Sequence, residues 1–337
     1  MMLLASCYEI FEPDIDSVPV LCLNSRIAVG QPIHVSVSHT WSYADQSLDP
    51  NHEVADAVVQ IYVNGILAED DYIPKEGDLI RVVAESPTYG DAEAEVFVPS
   101  ATPIEADKIA PTIREIRYYE SDAQDGDMIA DISFDLSIEM TITDLDLQNN
   151  YFMFAWQSFN QEEISDDANE PTEAFGWSIG SFEYNSEPIF KEHIGEFETV
   201  IGSDDIPFTY FTDRQFAGSH YTLHLKFTDC VYIINMDDYD ENLLDCGVIL
   251  YLKAISESYY NMVLYRWNTD HGIIGDLSDI GLAESKWGYS NVSSGAGVVT
   301  AENVSYLRIN LKEFLNSELL KIPKGTQSKH NLINTTK

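Results

Sequence analysis

Val58-Val59-Gln60-Ile61-Tyr62-Val63-Asn64-Gly65 joins a run of β-branched and aromatic residues to an Asn-Gly pair. Such residues are enriched in strands, and Asn-Gly accepts the positive φ angles of a tight two-residue turn. The stretch therefore predicts a strand that ends in a β-hairpin. Short apolar or alternating runs also occur at residues 18–27, 33–38, 79–84 and 92–98. Together they predict an immunoglobulin-like or transthyretin-like β-sandwich over residues 18–103.

A larger β-rich domain is predicted for residues 112–320, after a linker at residues 99–111 that contains three prolines. Its main helix is expected after Ser256, an N-cap residue, because Tyr260, Val263, Leu264 and Trp267 then share one face. A second short helix is expected at residues 312–320, and residues 321–337 are expected to be a mobile tail. The predicted fold class is thus mainly β, with one or two short helices.

Charge and hydropathy limit the possible functions. The net charge is −39, which repels phosphate backbones and argues against nucleic-acid binding. A hydrophobic fraction of 45% excludes disorder for most of the chain. After residue 7 no uninterrupted apolar run approaches the length of a membrane-spanning helix. Membrane attachment is therefore expected only through a lipid.

The N-terminal segment suggests such a lipid. Leu4-Ala5-Ser6-Cys7 has the apolar-small-small-Cys order of a bacterial lipobox, which predicts acylation of Cys7. The acidic residues that follow resemble the export tether of Bacteroidota surface lipoproteins, so residues 1–17 are interpreted as a signal remnant and tether. Asp16-Ser17-Val18 also resembles an O-glycosylation site of that phylum, which makes Ser17 a candidate for modification.

Three cysteines remain if Cys7 is acylated. Cys230 and Cys246 flank a segment whose pattern predicts a strand, an acidic turn and a second strand. We therefore predict a disulfide across a hairpin. Cys22 lies in an apolar run and is expected to be a buried thiol.

Three short motifs contain residue types that could carry chemistry. Gly176-Trp177-Ser178-Ile179-Gly180 matches the G-x-S-x-G nucleophile elbow, but its flanks lack the required strand-to-helix pattern. His220 and His224 alternate along a predicted strand, where they would lie about 13 Å apart and could not share zinc.

The third motif is an acidic turn whose oxygen-bearing side chains could bind calcium. The EF-hand pattern fails at its glycine and glutamate positions, so the alternatives are a calcium site of another kind and a solvated acidic turn between two strands. Its residues are Asp238, Asp240 and Asn242. No other cofactor is expected.

Taken in order, several stretches resemble a family of Bacteroidota lipoproteins catalogued as domain of unknown function 4249. They are Leu4–Cys7, Val20–Ser38, Ala55–Gly65, Phe211–Gly218, Ile255–Tyr260 and Tyr289–Val298. In relatives the last stretch usually runs Asn-Val-x-Gly-Gly-x-Gly, and in this chain Ser293-Ser294 replaces part of it. The resemblance implies an outer-membrane lipoprotein, encoded near TonB-dependent transporters and without catalytic residues.

The leading hypothesis is a non-enzymatic, cell-surface accessory subunit whose partner is an outer-membrane β-barrel protein, such as a TonB-dependent transporter. We expect the partner to meet residues 160–207 or the outer face of the N-terminal sandwich. The alternative is a free-standing binder of glycan or peptide that uses exposed rings, and a hydrolase is the third possibility. The candidate rings are Trp41, Tyr43, Trp156, Phe175, Trp177 and Trp287.

Overall fold

The structure is a computed structural model of the 337-residue chain. It describes residues 18–41, 52–120, 127–144, 149–160, 175–183, 187–191, 208–236, 246–270 and 288–319. These ranges contain many strands and two α-helices, so the prediction of a mainly β protein is confirmed.

Strands and helices are numbered in chain order. The strands are β1 (Leu21–Ala28), β2 (Ser36–His39), β3 (Val58–Val63), β4 (Ile66–Leu67), β5 (Leu79–Ser86), β6 (Gly90–Phe97), β7 (Ile104–Glu120), β8 (Met128–Asp144), β9 (Tyr151–Asn160), β10 (Phe175–Ser178), β11 (Ser181–Phe182), β12 (Tyr210–Thr212), β13 (Ser219–Asn235), β14 (Cys246–Ile255) and β15 (Ala296–Asn310). The α-helices are α1 (Glu257–Asp270) and α2 (Lys312–Leu319), and a 3-10 helix spans Pro188–Lys191.

The strands form three sheets. The largest has six strands in the order β12-β9-β14-β15-β1-β2. A four-stranded sheet has the order β4-β3-β5-β6, and a five-stranded sheet has the order β10-β13-β8-β7 with β11 also paired to β13. Neighbouring strands are antiparallel except β1 and β15, which run parallel.

One face of the six-stranded sheet contributes to two separate hydrophobic cores. At the β1 end, Leu21, Leu23 and Ala301 belong to a core that includes the buried side chains of β5 and β6. At the β9 end, Phe152 and Leu250 belong to a second core with β8 and β13. The two smaller sheets therefore cover different halves of the same face, because side chains alternate along every strand.

The predicted hairpin after β3 is confirmed. Asn64 and Gly65 have φ angles of 52° and 82°, and Val63 pairs with Ile66 across the turn. Asn64 also holds the turn in place, since its side-chain oxygen accepts the backbone N–H of Leu79 at 3.0 Å.

The parallel pairing of β1 and β15 depends on a close approach at Gly297. Its φ angle is +104°, and a Cβ added there would lie 2.1 Å from the carbonyl oxygen of Leu23. The side chain of Asn291 adds two hydrogen bonds of 2.9 Å to the backbone of Val299. The glycine therefore allows β15 to lie against β1, and Asn291 holds the segment before β15 against that strand.

The helix prediction after Ser256 is also confirmed. The Oγ of Ser256 accepts the backbone N–H of Tyr259 at 3.3 Å, as an N-cap does, and that of Ala301 at 3.0 Å. The cap therefore attaches α1 to β15. In α2, Leu315 is fully buried in the second core. Neither helix has the length and apolar character needed to cross a membrane, within the described ranges.

Two expectations about local structure are wrong. Residues 104–111 are not a linker, because they begin β7, which pairs with β8 along its length. The prolines are misleading in this segment, since β7 is an edge strand and Pro111 is tolerated there. The expected hairpin around Cys230 and Cys246 does not form between β13 and β14 either, since these strands belong to different sheets.

Candidate binding surfaces

The exposed face of the four-stranded sheet is apolar at one end. Tyr62 is opposite Leu67 and Arg81 in the register, and Leu79 is opposite Phe97, so all five share the outer face. Leu67 is 55% exposed and Phe97 is 50% exposed. We call these five residues the β3–β6 face.

Charge borders this face on one side. The guanidinium of Arg81 lies 5.7 Å from the ring centroid of Tyr62 and forms a salt bridge with Glu93. Glu93 and Glu95 continue the outer face along β6. The β3–β6 face is thus an exposed apolar surface with a polar rim, an arrangement that is typical of protein-binding sites.

A column of stacked rings lies near the β2 edge of the six-stranded sheet. Trp41 stacks on His52 at 4.0 Å between centroids, and His39 stacks on Tyr89 at 4.6 Å. The two histidine rings meet edge to face at 5.2 Å, which completes the column. Trp41 therefore packs on its neighbours, although it is 55% exposed.

Of the six rings proposed for sugar stacking, the structure describes the side chains of two, Trp41 and Trp156, and these two are not brought together. Trp156 packs against the core and meets Phe227 edge to face at 5.3 Å, on a strand near the opposite end of the six-stranded sheet from Trp41. Tyr43 and Trp287 lie outside the described residues, as do the side chains of Phe175 and Trp177.

Ser178 does not occupy a nucleophile elbow. It ends β10, which pairs antiparallel with β13, and the chain continues into β11 on the same partner strand. Gly180, two residues further on, allows the chain to pack closely, because a Cβ at this position would lie 2.7 Å from the carbonyl oxygen of Asp229. The strand-to-helix turn that exposes a catalytic serine is not formed at this position.

His220 and His224 lie on β13, as expected, and contact different groups. The ring of His220 hydrogen-bonds the Thr143 hydroxyl at 3.1 Å. The Nδ1 of His224 is 3.3 Å from the carboxylate of Glu187. Glu187 is buried and also accepts the hydroxyl of Tyr221 at 3.1 Å, so its role is to hold the 3-10 segment against β13.

The stretch Phe211–Gly218 forms a turn built on a buried carboxylate. Asp213 is 1% exposed, and its carboxylate accepts the backbone N–H of Asn150 at 2.9 Å. The backbone carbonyl of Asp213 accepts the N–H groups of Phe216 and Ala217, both at 2.7 Å. Its polar atoms are used in holding β12 beside β9, which is a structural role.

A charged cluster that sequence reasoning missed lies on the other face of the six-stranded sheet. Glu302 is buried, and its Oε1 is 2.5 Å from Nη2 of Arg26 and 3.4 Å from Nζ of Lys253. Burial raises the pKa of the nearby Tyr210 to about 12 and also raises the pKa of Tyr259. These residues come from four strands and a helix, so no local pattern in the sequence relates them.

The three cysteines that the structure describes are thiols. Cys230 and Cys246 are buried on strands of different sheets, and no bond joins them. The prediction of a disulfide between them assumed a local hairpin, which these strands do not form, and both residues are thiols in the structure. Burial, followed by the charges of Asp135 and Asp229, raises the pKa of Cys230 to about 12. Cys22 is half-buried, more exposed than expected.

The remaining predicted sites lie outside the described residues. These are the lipidation site Cys7, the glycosylation site Ser17, the calcium candidates Asp238, Asp240 and Asn242, and most of residues 160–207. Among the residues that are described, no group of three or more His, Cys, Asp or Glu could hold a metal ion.

No protein-family model, no curated protein and no solved structure matches this chain.

Proposed function

We propose that this protein is a lipid-anchored, non-enzymatic binding subunit of an outer-membrane assembly. Its partner is an outer-membrane β-barrel protein, with a TonB-dependent transporter as the first candidate. The observation that carries the proposal is the β3–β6 face, where exposed apolar and aromatic side chains cluster beside a charged rim.

The length of the tether after Cys7 supports the choice of partner. Ten residues separate Cys7 from Val18, the first described residue. A fully extended chain of that length spans about 35 Å, so an acylated Cys7 would keep the protein within that distance of the membrane. Confinement to the same surface raises the effective concentration of any embedded partner.

The composition of the face supports a protein partner in particular. Aromatic residues and arginine are enriched at the centre of protein interfaces, and Tyr62, Phe97 and Arg81 meet that description. We also propose that residues 18–103 have an immunoglobulin-like or transthyretin-like topology. Its support is that these residues contribute strands to two facing sheets, with β15 completing the core between them.

Site-specific crosslinking from native membranes tests the proposal. A photo-crosslinking amino acid at position 97 should capture a β-barrel protein, which mass spectrometry of the adduct would identify. The same probe at Tyr119, which is 42% exposed on β7, is the matched control and should capture much less. If position 97 yields no barrel adduct and the detergent-extracted protein is a monomer, the assembly proposal fails.

A further inference from the structure

The β3–β6 face is one end of a longer outer surface on the four-stranded sheet. At the other end, beside the turn between β5 and β6, Glu85 is directly opposite Asp91 on one side and Val58 on the other. Between the two ends, Glu95 is directly opposite Arg81. Since directly opposite residues share a face and these side chains are exposed, the surface is apolar at one end and carries carboxylates at the other.

The carboxylates of this surface have few cations as partners. Residues 52–98 contain eleven acidic side chains and two basic ones, Lys75 and Arg81. Arg81 forms its salt bridge with Glu93, and Lys75 lies before β5, where Asp78 accepts its backbone N–H. Among the described residues, no cation forms a salt bridge with the other carboxylates of the outer surface, which are Glu85, Asp91 and Glu95. Such a surface favours a partner that supplies positive charge.

The size of the surface limits what can cover it. From Asp91 to Phe97 along β6 is about 20 Å, and the four strands together are about 15 Å wide. The product is roughly 300 Å² of sheet, whereas a stable interface between folded proteins buries about 800 Å² on each partner. One extended segment of about seven residues is long enough to reach from the apolar end to the acidic end.

We propose, building on the function proposed above, that this surface holds one segment of the partner protein that is apolar at one end and rich in Lys or Arg at the other. The apolar side chains of the segment pack on Leu67, Leu79 and Phe97, and its cations pair with Glu85 and Asp91. The segment belongs to a loop or a terminal extension of the β-barrel protein, because the barrel strands themselves are embedded in the membrane.

Two other occupants fit this surface less well. A second copy of this chain would bring its own carboxylates to the contact, and its one cation on this surface, Arg81, is already bound to Glu93. The same patch would face itself across a two-fold axis, so the carboxylates would gain no new cation. Anionic lipid headgroups would be repelled by the same carboxylates.

Two photo-crosslinking positions in the otherwise unchanged chain test the inference in native membranes. Position 97 probes the apolar end, and position 58, where Val58 is 62% exposed, probes the acidic end. Mass spectrometry should locate both adducts on the same stretch of one barrel protein, within about seven residues of each other, with Lys or Arg nearest the adduct from position 58. Adducts on separate stretches, no basic residue near the second adduct, or capture of a second copy or of lipid would each overturn the proposal.

Neutralising the carboxylates tests the charge requirement. The triple variant Glu85→Gln, Asp91→Asn and Glu95→Gln should lower capture from position 97 about tenfold at low salt, and high salt should reduce the difference. Thermal unfolding verifies that each variant is folded. The matched control neutralises three exposed carboxylates of β7 and should leave capture unchanged. Its substitutions are Glu105→Gln, Asp107→Asn and Glu120→Gln.

The outcomes separate this inference from the proposed function. If position 97 captures a barrel protein equally well in the folded triple variant, the basic segment is excluded while the assembly stands. If position 97 captures no barrel protein, the proposed function fails and this inference fails with it.

Discussion

Arg26 and Glu302, 276 positions apart in the sequence, form a salt bridge of 2.5 Å on the outer side of the six-stranded sheet. The carboxylate comes from β15 and the guanidinium from β1, so the pair joins the two ends of the fold. Lys253 of β14 is the second cation beside Glu302. Within the described structure, the Oε2 atom of Glu302 is buried without a hydrogen bond.

We expect Glu302→Ala to lower the free energy of unfolding by about 2 kcal/mol, because it leaves Arg26 and the mostly buried Lys253 without their anion. Chemical denaturation measures the change. Glu93→Ala is the matched control, since the Arg81–Glu93 pair is exposed on both sides and its loss should lower stability much less. Equal losses in the two variants would contradict the importance of the buried pair.

Gly297→Ala should be among the most damaging single substitutions. Its Cβ would meet the Leu23 carbonyl at 2.1 Å, and its φ angle is unfavourable for any side chain. We expect a loss of about 3 kcal/mol or more, or failure to fold. Gly288→Ala, with nothing within 4 Å of its Cβ, should change stability by less than about 0.5 kcal/mol. A well-folded, stable Gly297→Ala protein would contradict the close approach of β1 and β15.

Cysteine reactivity should separate Cys22 from Cys230. Native protein treated with iodoacetamide at pH 8 is expected to label Cys22 first, because Cys230 is buried and its pKa is raised to about 12. Denaturation without reductant should then expose Cys230 and Cys246 to labelling, as measured by peptide mass spectrometry. If both stay unlabelled until a reductant is added, they form the disulfide predicted from the sequence.

The stability of the folded protein should decrease at alkaline pH. Burial raises the pKa of Tyr118 to about 12, from an ordinary value of 10, because it disfavours the phenolate. The unfolded chain therefore releases this proton at lower pH than the folded chain, and stability is lost as the pH rises from about 10 to about 12. Denaturation midpoints across this range measure the loss. Tyr118→Phe should show a shallower decline, and an identical decline would exclude a contribution from this group.

Lipidation is tested directly at Cys7. Intact mass spectrometry of protein extracted from native membranes should show a lipid addition on Cys7 and the loss of residues 1–6. Cys7→Ser should move the protein from the membrane fraction to the soluble fraction, whereas Cys22→Ser should not. Native material with an unmodified Met1 would contradict this prediction.

The local elements of this protein can be predicted from its residues alone. The Asn64-Gly65 turn, the strand content and the Ser256 cap all follow from residue preferences that act over a few positions. The start of β7 could not be predicted in this way, because prolines normally interrupt strands. Pro111 is acceptable only because β7 lies at a sheet edge.

Which strands are neighbours depends on the folded arrangement of the whole chain. The sequence predicts separate units for residues 18–103 and 112–320, yet β1 pairs with β15 and both smaller sheets cover one shared sheet. Strand alternation shows which residues share a face of one strand, but not which strand lies beside it. For that reason Tyr251 and Tyr306, or Arg26 and Glu302, have no visible relationship in the sequence. Their surfaces exist because distant strands pair in one particular register.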